Sequence, residues 1–209
     1  MIYYPKIGNI NHLPEPNILG HVYQKYDGSN FSMDWARTEG YHRFKSRNQL
    51  ITAGEGNLLE PAIALFKDKY ADELTERLRD LRHCRKPQFC RNELVTLFFE
   101  YFGPSSFAGS HVQDDKMELR LIDATNSYIL LPPKNFESIF KNISFKAEHL
   151  GQENINDEFI QYVRNSTTLG EGVVVKGKHN KNLWRVKIKT DEYKQRLQVY
   201  GSKWQEFWE

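Results

Sequence analysis

Cysteine is nearly absent. Cys84 and Cys90 are the two in 209 residues, too few for a disulfide framework. A reducing, intracellular (cytoplasmic) setting is therefore expected. No apolar run approaches the roughly 20 residues that a membrane-spanning helix needs, and no secretory leader is visible. A dominant charge is missing too. Lys and Arg number 29 against 27 Asp and Glu, a net of +2, so bulk charge announces no nucleic-acid partner and any basic surface must be local. Repeats, low-complexity tracts and linkers are lacking. One domain over residues 1–209 is expected, as a monomer with no membrane partner. What the chain does have is a 39% hydrophobic fraction, enough for a sizeable core. His83-Cys84 and Cys90 have no fourth ligand at zinc-site spacing and read as ordinary residues at a helix end.

The pattern predicts strands on both sides of Asp27-Gly28, joined by a tight turn over residues 19–35. Residues 58–82 predict a helix, with Pro61 in its first turn and Leu58, Leu59, Ala62, Leu65, Phe66, Tyr70, Leu74, Leu78 and Leu81 at helical spacing. LVTLFFEYF (94–102) and residues 118–124 predict strands. Pro132-Pro133 precedes a short helix near 135–142, and Asn156 is placed to cap another over 157–164. EGVVVKG (171–177) and LWRVKIK (183–189) predict two strands joined at His179-Asn180. Tyr193, Leu197, Tyr200, Trp204 and Trp208 share a stripe on a tail helix. Strands carry the unusual residues and helices surround them, which makes the class α+β.

The unusual residues are these. KYDGSN (25–30) presents Lys25 at a strand end beside a turn, although Asp-Gly is by itself an ordinary turn signal. Lys187 and Lys189 alternate with Val186 and Ile188, so both lysines share one strand face. That face is either solvated or turned toward phosphate. Glu100 lies inside Leu97-Phe98-Phe99-Glu100-Tyr101-Phe102, where an acid is costly to bury unless paired or binding something.

Together and in order, these segments resemble the motifs of the covalent nucleotidyltransferases: ATP-dependent DNA ligases, RNA ligases and mRNA capping enzymes. KYDGSN is similar to their motif I, Ser46-Arg47-Asn48 to motif Ia, and FFEYFG to motif III. Leu121-Ile122-Asp123 is similar to motif IIIa, EGVVVK to motif IV, and Lys187-Ile188-Lys189 to motif V. The resemblance implies a ligase catalytic domain, ATP-grasp-like, with antiparallel sheets flanked by helices. It implies ATP and Mg²⁺ (or Mn²⁺) as cofactors and Lys25 as the nucleophile that takes AMP. Lys187 and Lys189 would be catalytic, offsetting the charge that grows on the α-phosphate. They would also help a lysine that normally titrates near about 10.4 to lose its proton. Arg47 and Glu100 would contact the ribose or its neighbours, with Asp27 and Asn30 also in the nucleotide site. Glu171 would help hold the metal. Lys176 either touches phosphate or flanks its strand, and Gln24 is expected at the base edge.

The chain also departs from the pattern. Ile122 stands where an aromatic ring usually stacks on the purine. Asp27 replaces the histidine of many RNA ligase 2-like relatives, whereas Asn30 fits RNA ligases better than the arginine of DNA ligases. Only 20 residues follow Lys189, leaving no room for an oligonucleotide-binding-fold domain and assigning 191–209 to a helical tail. The resulting expectation is an RNA ligase acting on RNA with 5′-phosphate and 3′-hydroxyl ends. A minimal DNA ligase and a non-catalytic nucleotide-dependent RNA-binding module are the alternatives.

Overall fold

The computed structural model describes residues 2–52, 54, 56–83, 94–104, 116–127 and 129–199, with the side chains of 81–83 left out. Cys84, Cys90, His111, Tyr200, Lys203, Trp204 and Trp208 lie outside the described residues. The class is α+β, as expected. The strands are β1 (Ile18–Lys25), β2 (Ser29–Ala36), β3 (Gly40–Ser46), β4 (Leu94–Phe102), β5 (Glu118–Asn126), β6 (Ile129–Leu130), β7 (His149–Ile155), β8 (Gly172–His179) and β9 (Asn182–Lys189). The helices are α1 (Glu60–Lys69), α2 (Ala71–His83), α3 (Pro133–Phe140), α4 (Asp157–Arg164) and α5 (Asp191–Gln198). None of the described helices is long and apolar enough to cross a membrane.

The chain divides into two compact units. The first contains the sheet β3-β2-β4-β5-β6 and the second the sheet β7-β1-β8-β9, and every named pairing is antiparallel. In the first unit, alternate residues of β2, β4 and β5 (Phe31, Met33, Leu97, Phe99 and Leu121) are fully buried. Helix α1 brings Phe66 edge-on to Phe99, with centroids 5.6 Å apart.

In the second unit, one sheet face and α4 form the core: Ile18, Val22, Val173, Val175, Trp184, Val186 and Ile188 with Ile160 and Val163. Asn156 caps α4 by accepting a hydrogen bond from the Phe159 N–H at 2.8 Å. Because the apolar side chains of these strands point one way, their alternates are left for the other face. That other face carries the candidate chemistry.

Four expectations are corrected. Asp27-Gly28 is not a hairpin turn: β1 pairs with β7 and β8, β2 pairs with β3 and β4, and no edge of either is left for the other. The 58–82 helix is two helices, interrupted at Tyr70, whose ring packs edge-on against Phe145 at 4.7 Å. The short helix begins at Pro133 rather than 135, since a proline suits a first helical turn. The last turn lies beyond His179, with Asn180 in the left-handed region at φ 56°.

Candidate functional site

Cross-strand register assembles the second unit's polar face. Lys25 pairs with Gly172, and Gly172 with Lys189, giving one row across three strands. The next row is Tyr23, Val174 and Lys187, and the third is His21, Lys176 and Arg185. Residues two apart on a strand share a face, so these rows stack on the same side. Gly172 has φ 134°, and a side chain there would put Cβ 2.1 Å from the Ile188 carbonyl oxygen. Only glycine lets β8 pass this close to β9 between the two lysines.

Glu171 connects the first row. Its Oε2 lies 2.7 Å from Lys25 Nζ and its Oε1 3.5 Å from Lys189 Nζ. Glu171 and Lys189 are buried, whereas 17% of the Lys25 side chain is exposed. The nucleophile candidate is therefore the member of this cluster most open to a substrate. Burial lowers the Lys189 pKa, Glu171 opposes that shift, and Lys25 adds to it. Lys187 is pushed down to about 8, first by burial and then by the positive charges of Lys189, Lys25 and Lys6.

The tail helix serves this cluster, a role the sequence reading did not assign. Thr190 caps α5 by accepting from the Tyr193 N–H, and its own hydroxyl donates to the Gly170 carbonyl at 2.7 Å. Tyr193, buried, donates its hydroxyl to Asp27 Oδ1 at 2.8 Å, and Lys189 Nζ lies 5.2 Å from the centre of its ring. Asp27 is thus held from α5, so the helix helps fix the segment that follows Lys25. The signal was available in the sequence: Tyr193 follows the Lys187-Ile188-Lys189 segment at helical spacing from a Thr cap.

Gln24 stands one residue from Lys25, so β1 turns it to the opposite face. Its amide donates to the Leu169 carbonyl at 2.7 Å, anchoring the loop that leads into Glu171. Lys176 is buried, with Nζ 4.8 Å from the centre of the Tyr23 ring. His21 and His149 meet with Nδ1 and Nε2 3.1 Å apart. Strand β7, HLGQENI, brings them together and was missed because it lacks an apolar alternation.

The remaining candidates belong to the first unit. Asn30 registers with Glu100, and Glu100 with Arg120, while Ile122 lies two residues further along β5. Asn30 Nδ2 donates to the Phe99 carbonyl, and its Oδ1 is buried with no hydrogen-bond partner among the described residues. Arg47 is exposed just beyond the end of β3.

No protein-family model matches this chain, and no curated protein does. Solved structures do. A Naegleria gruberi RNA ligase mutant with ATP and manganese superposes with a TM-score of 0.64 at 18% identity, over 92% of this chain and 57% of that one. An archaeal ATP-dependent RNA ligase gives 0.64 at 16% identity, over 95% of this chain and 51% of that one. This chain therefore spans little more than half the length of those ligases. At this identity the likeness establishes architecture. The chain has the fold that these RNA ligases show over the matched region.

Proposed function

We propose that this protein is an ATP-dependent RNA ligase. In this reading Lys25 takes AMP from ATP, the AMP passes to an RNA 5′-phosphate, and a 3′-hydroxyl then displaces it to seal the strand. The observation that carries this reading is the Lys25–Glu171–Lys189 cluster, with Lys187 in the adjoining row. A lysine placed among further lysines on one strand face, and more exposed than Glu171 and Lys189, suits attack on a phosphate whose growing charge the others offset.

Glu171 has two jobs in this scheme. Beside Lys25 it favours the ammonium, the unreactive form, because an opposite charge at 2.7 Å stabilises the charged lysine. Attack requires that Lys25 lose a proton and that Glu171 find another partner. Glu171 offers one carboxylate beside the lysines, a donor set that fits a divalent ion borne mainly by phosphate. Magnesium commonly uses one or two protein carboxylates plus substrate phosphates. Held by Glu171 and phosphate oxygens, such an ion would supply positive charge at the α-phosphate and take up the carboxylate now paired with Lys25.

Lys187 should show the cost of such a site. Its folded pKa, about 8, lies below its ordinary value. Between that pH and about 10.5 the unfolded chain binds more protons than the folded one, so this residue's contribution to stability rises with pH there. Below pH 8 its penalty is fully present. Lys187→Met should therefore raise the melting temperature at pH 7 by roughly 2–4 °C per kcal/mol recovered, an advantage that fades toward pH 10. The same change should slow self-adenylation at least about tenfold, or about 1.4 kcal/mol of barrier. A variant that is both less stable and fully active would remove Lys187 from the scheme.

The experiment that tests the overall reading uses nicked duplexes that differ only in the sugar on each side of the nick. Phosphate contacts carry little sequence information, so choice between RNA and DNA would rest on the 2′-hydroxyl beside the reacting end. A ribonucleotide 3′-hydroxyl end should be sealed faster than an all-DNA nick. Equal rates would replace the RNA ligase by a DNA ligase. Nucleotide-dependent RNA binding without any adduct would leave the non-catalytic module.

A further inference from the structure

A pocket of about 220 Å³ opens in the second unit, lined by the short 3-10 turn region Asn9–Asn11, the end of β9, Arg164 of α4 and Lys194 of α5. Its charged lining is Arg164, Lys187, Lys189 and Lys194, and no carboxylate lines it. Two of these cations have partners: Lys189 lies 3.5 Å from Glu171 and Lys194 lies 3.4 Å from Asp191. Arg164 and Lys187 form no ion pair among the described residues. An arginine in the last turn of a helix is accounted for by the helix dipole alone. A half-buried, unpaired Lys187 beside it is not, because burial and like charge both work against its ammonium. Arg164 and Lys187 thus bring two cations to a concavity with room for a polyatomic ligand and no carboxylate in its lining. Guanidinium and ammonium groups together suit a tetrahedral, multiply charged oxyanion.

We propose that this pocket is a phosphate-binding subsite, with Arg164 as its principal ligand and Lys187 and Lys194 beside it. It rests on the adenylyltransferase reading and adds to it a residue on α4 that no motif includes. Lys189 connects the pocket to the nucleophile through Glu171, whose other oxygen holds Lys25. In the transfer step, the unprotonated Lys25 Nζ forms the N–P bond to the α-phosphate of ATP. The Pα–O bond to the β-phosphate breaks, its electron pair leaves on the bridging oxygen as pyrophosphate, and the amine proton passes to solvent. The phosphate bound in the pocket comes either from this leaving pyrophosphate or from the RNA end.

The test compares the wild type with Arg164→Ala and Arg164→Lys, using thermal melting to check folding. Binding of inorganic pyrophosphate and of a 5′-phosphorylated RNA oligomer is measured by calorimetry. Rates are measured for self-adenylation with ATP and for sealing of RNA already carrying 5′-AMP, which bypasses ATP. If the pocket takes the leaving group, Arg164→Ala weakens pyrophosphate binding and slows adenylation tenfold or more, spares sealing, and is partly rescued by lysine. If it takes an RNA phosphate, oligomer binding and sealing fall instead and adenylation is spared. Arg164→Ala matching the wild type in all four measurements overturns the proposal. If the wild type forms no adduct, the adenylyltransferase reading fails, and the two binding measurements still decide the pocket.

Discussion

Lys25→Ala should abolish the covalent nucleotide adduct while leaving both compact units folded. The nearest alternatives on this face are poorly placed to substitute: Lys189 is buried and tied to Glu171, and Lys176 is buried against the Tyr23 ring. A loss beyond about a thousandfold, roughly 4 kcal/mol of barrier, is expected. Folding should survive because Glu171 keeps Lys189 at 3.5 Å when Lys25 is removed, so the buried carboxylate is not stranded without a cation. Lys25→Arg makes the complementary control. It restores the ion pair with Glu171, but a guanidinium stays protonated and cannot attack. Both variants should melt close to the wild type and neither should carry nucleotide. The measurement is intact and peptide mass spectrometry after incubation with ATP and Mg²⁺, beside a melting curve. An adduct retained in either variant, or mapped to another lysine in the wild type, would sink the assignment of Lys25.

Local chemistry made several elements legible in the sequence. The β-branched and aromatic run 94–102 is β4 residue for residue, and Asn156 caps α4 at the expected place. The motif order placed Lys25, Glu171, Lys187 and Lys189 in one group, and cross-strand register brings them into adjoining rows. The illegible parts were those decided by distant partners. Asp27-Gly28 has the local signature of a hairpin, but β1 finds its neighbours in β7 and β8, more than a hundred residues away. Strand β7 is recognisable only through that pairing, since four of its seven residues are exposed and its sequence is largely polar. Tyr193 read as one position on an apolar stripe, while its hydroxyl serves Asp27 across 166 residues. Periodicity reports which face is buried, and not which polar tip the buried side chain will meet.

A second illegible feature sets the stability of the first unit. Asp34 and Lys45 look like alternating surface residues of β2 and β3, yet both side chains are fully buried, with Lys45 Nζ 2.8 Å from Asp34 Oδ1. The same oxygen accepts from Thr96 Oγ1 at 2.7 Å, Arg43 Nε lies 3.0 Å from Oδ2, and Lys45 also donates to the Ile2 carbonyl. Burial lowers the Lys45 pKa and Asp34 opposes that shift. Asp34→Ala removes the opposing charge and leaves a buried ammonium, which should cost about 3–5 kcal/mol. The sign of its pH dependence follows from Lys45. Its folded pKa falls further in the variant while the unfolded value stays, so the unfolded chain binds more protons over a wider range. Stability of Asp34→Ala should therefore recover as pH rises toward the ordinary lysine range, narrowing the gap to the wild type. Asp34→Leu combined with Lys45→Met should recover much of that loss, because replacing both charges by apolar groups of similar size is often neutral or stabilising, less the cost of the buried Thr96 hydroxyl, which loses its acceptor. Arg43, 40% exposed, can turn to solvent in that double variant. Denaturant unfolding at pH 7 and pH 9.5 measures all three proteins. A cost below about 1 kcal/mol for Asp34→Ala would mean that water reaches Lys45 and that the pair does not hold the sheet together.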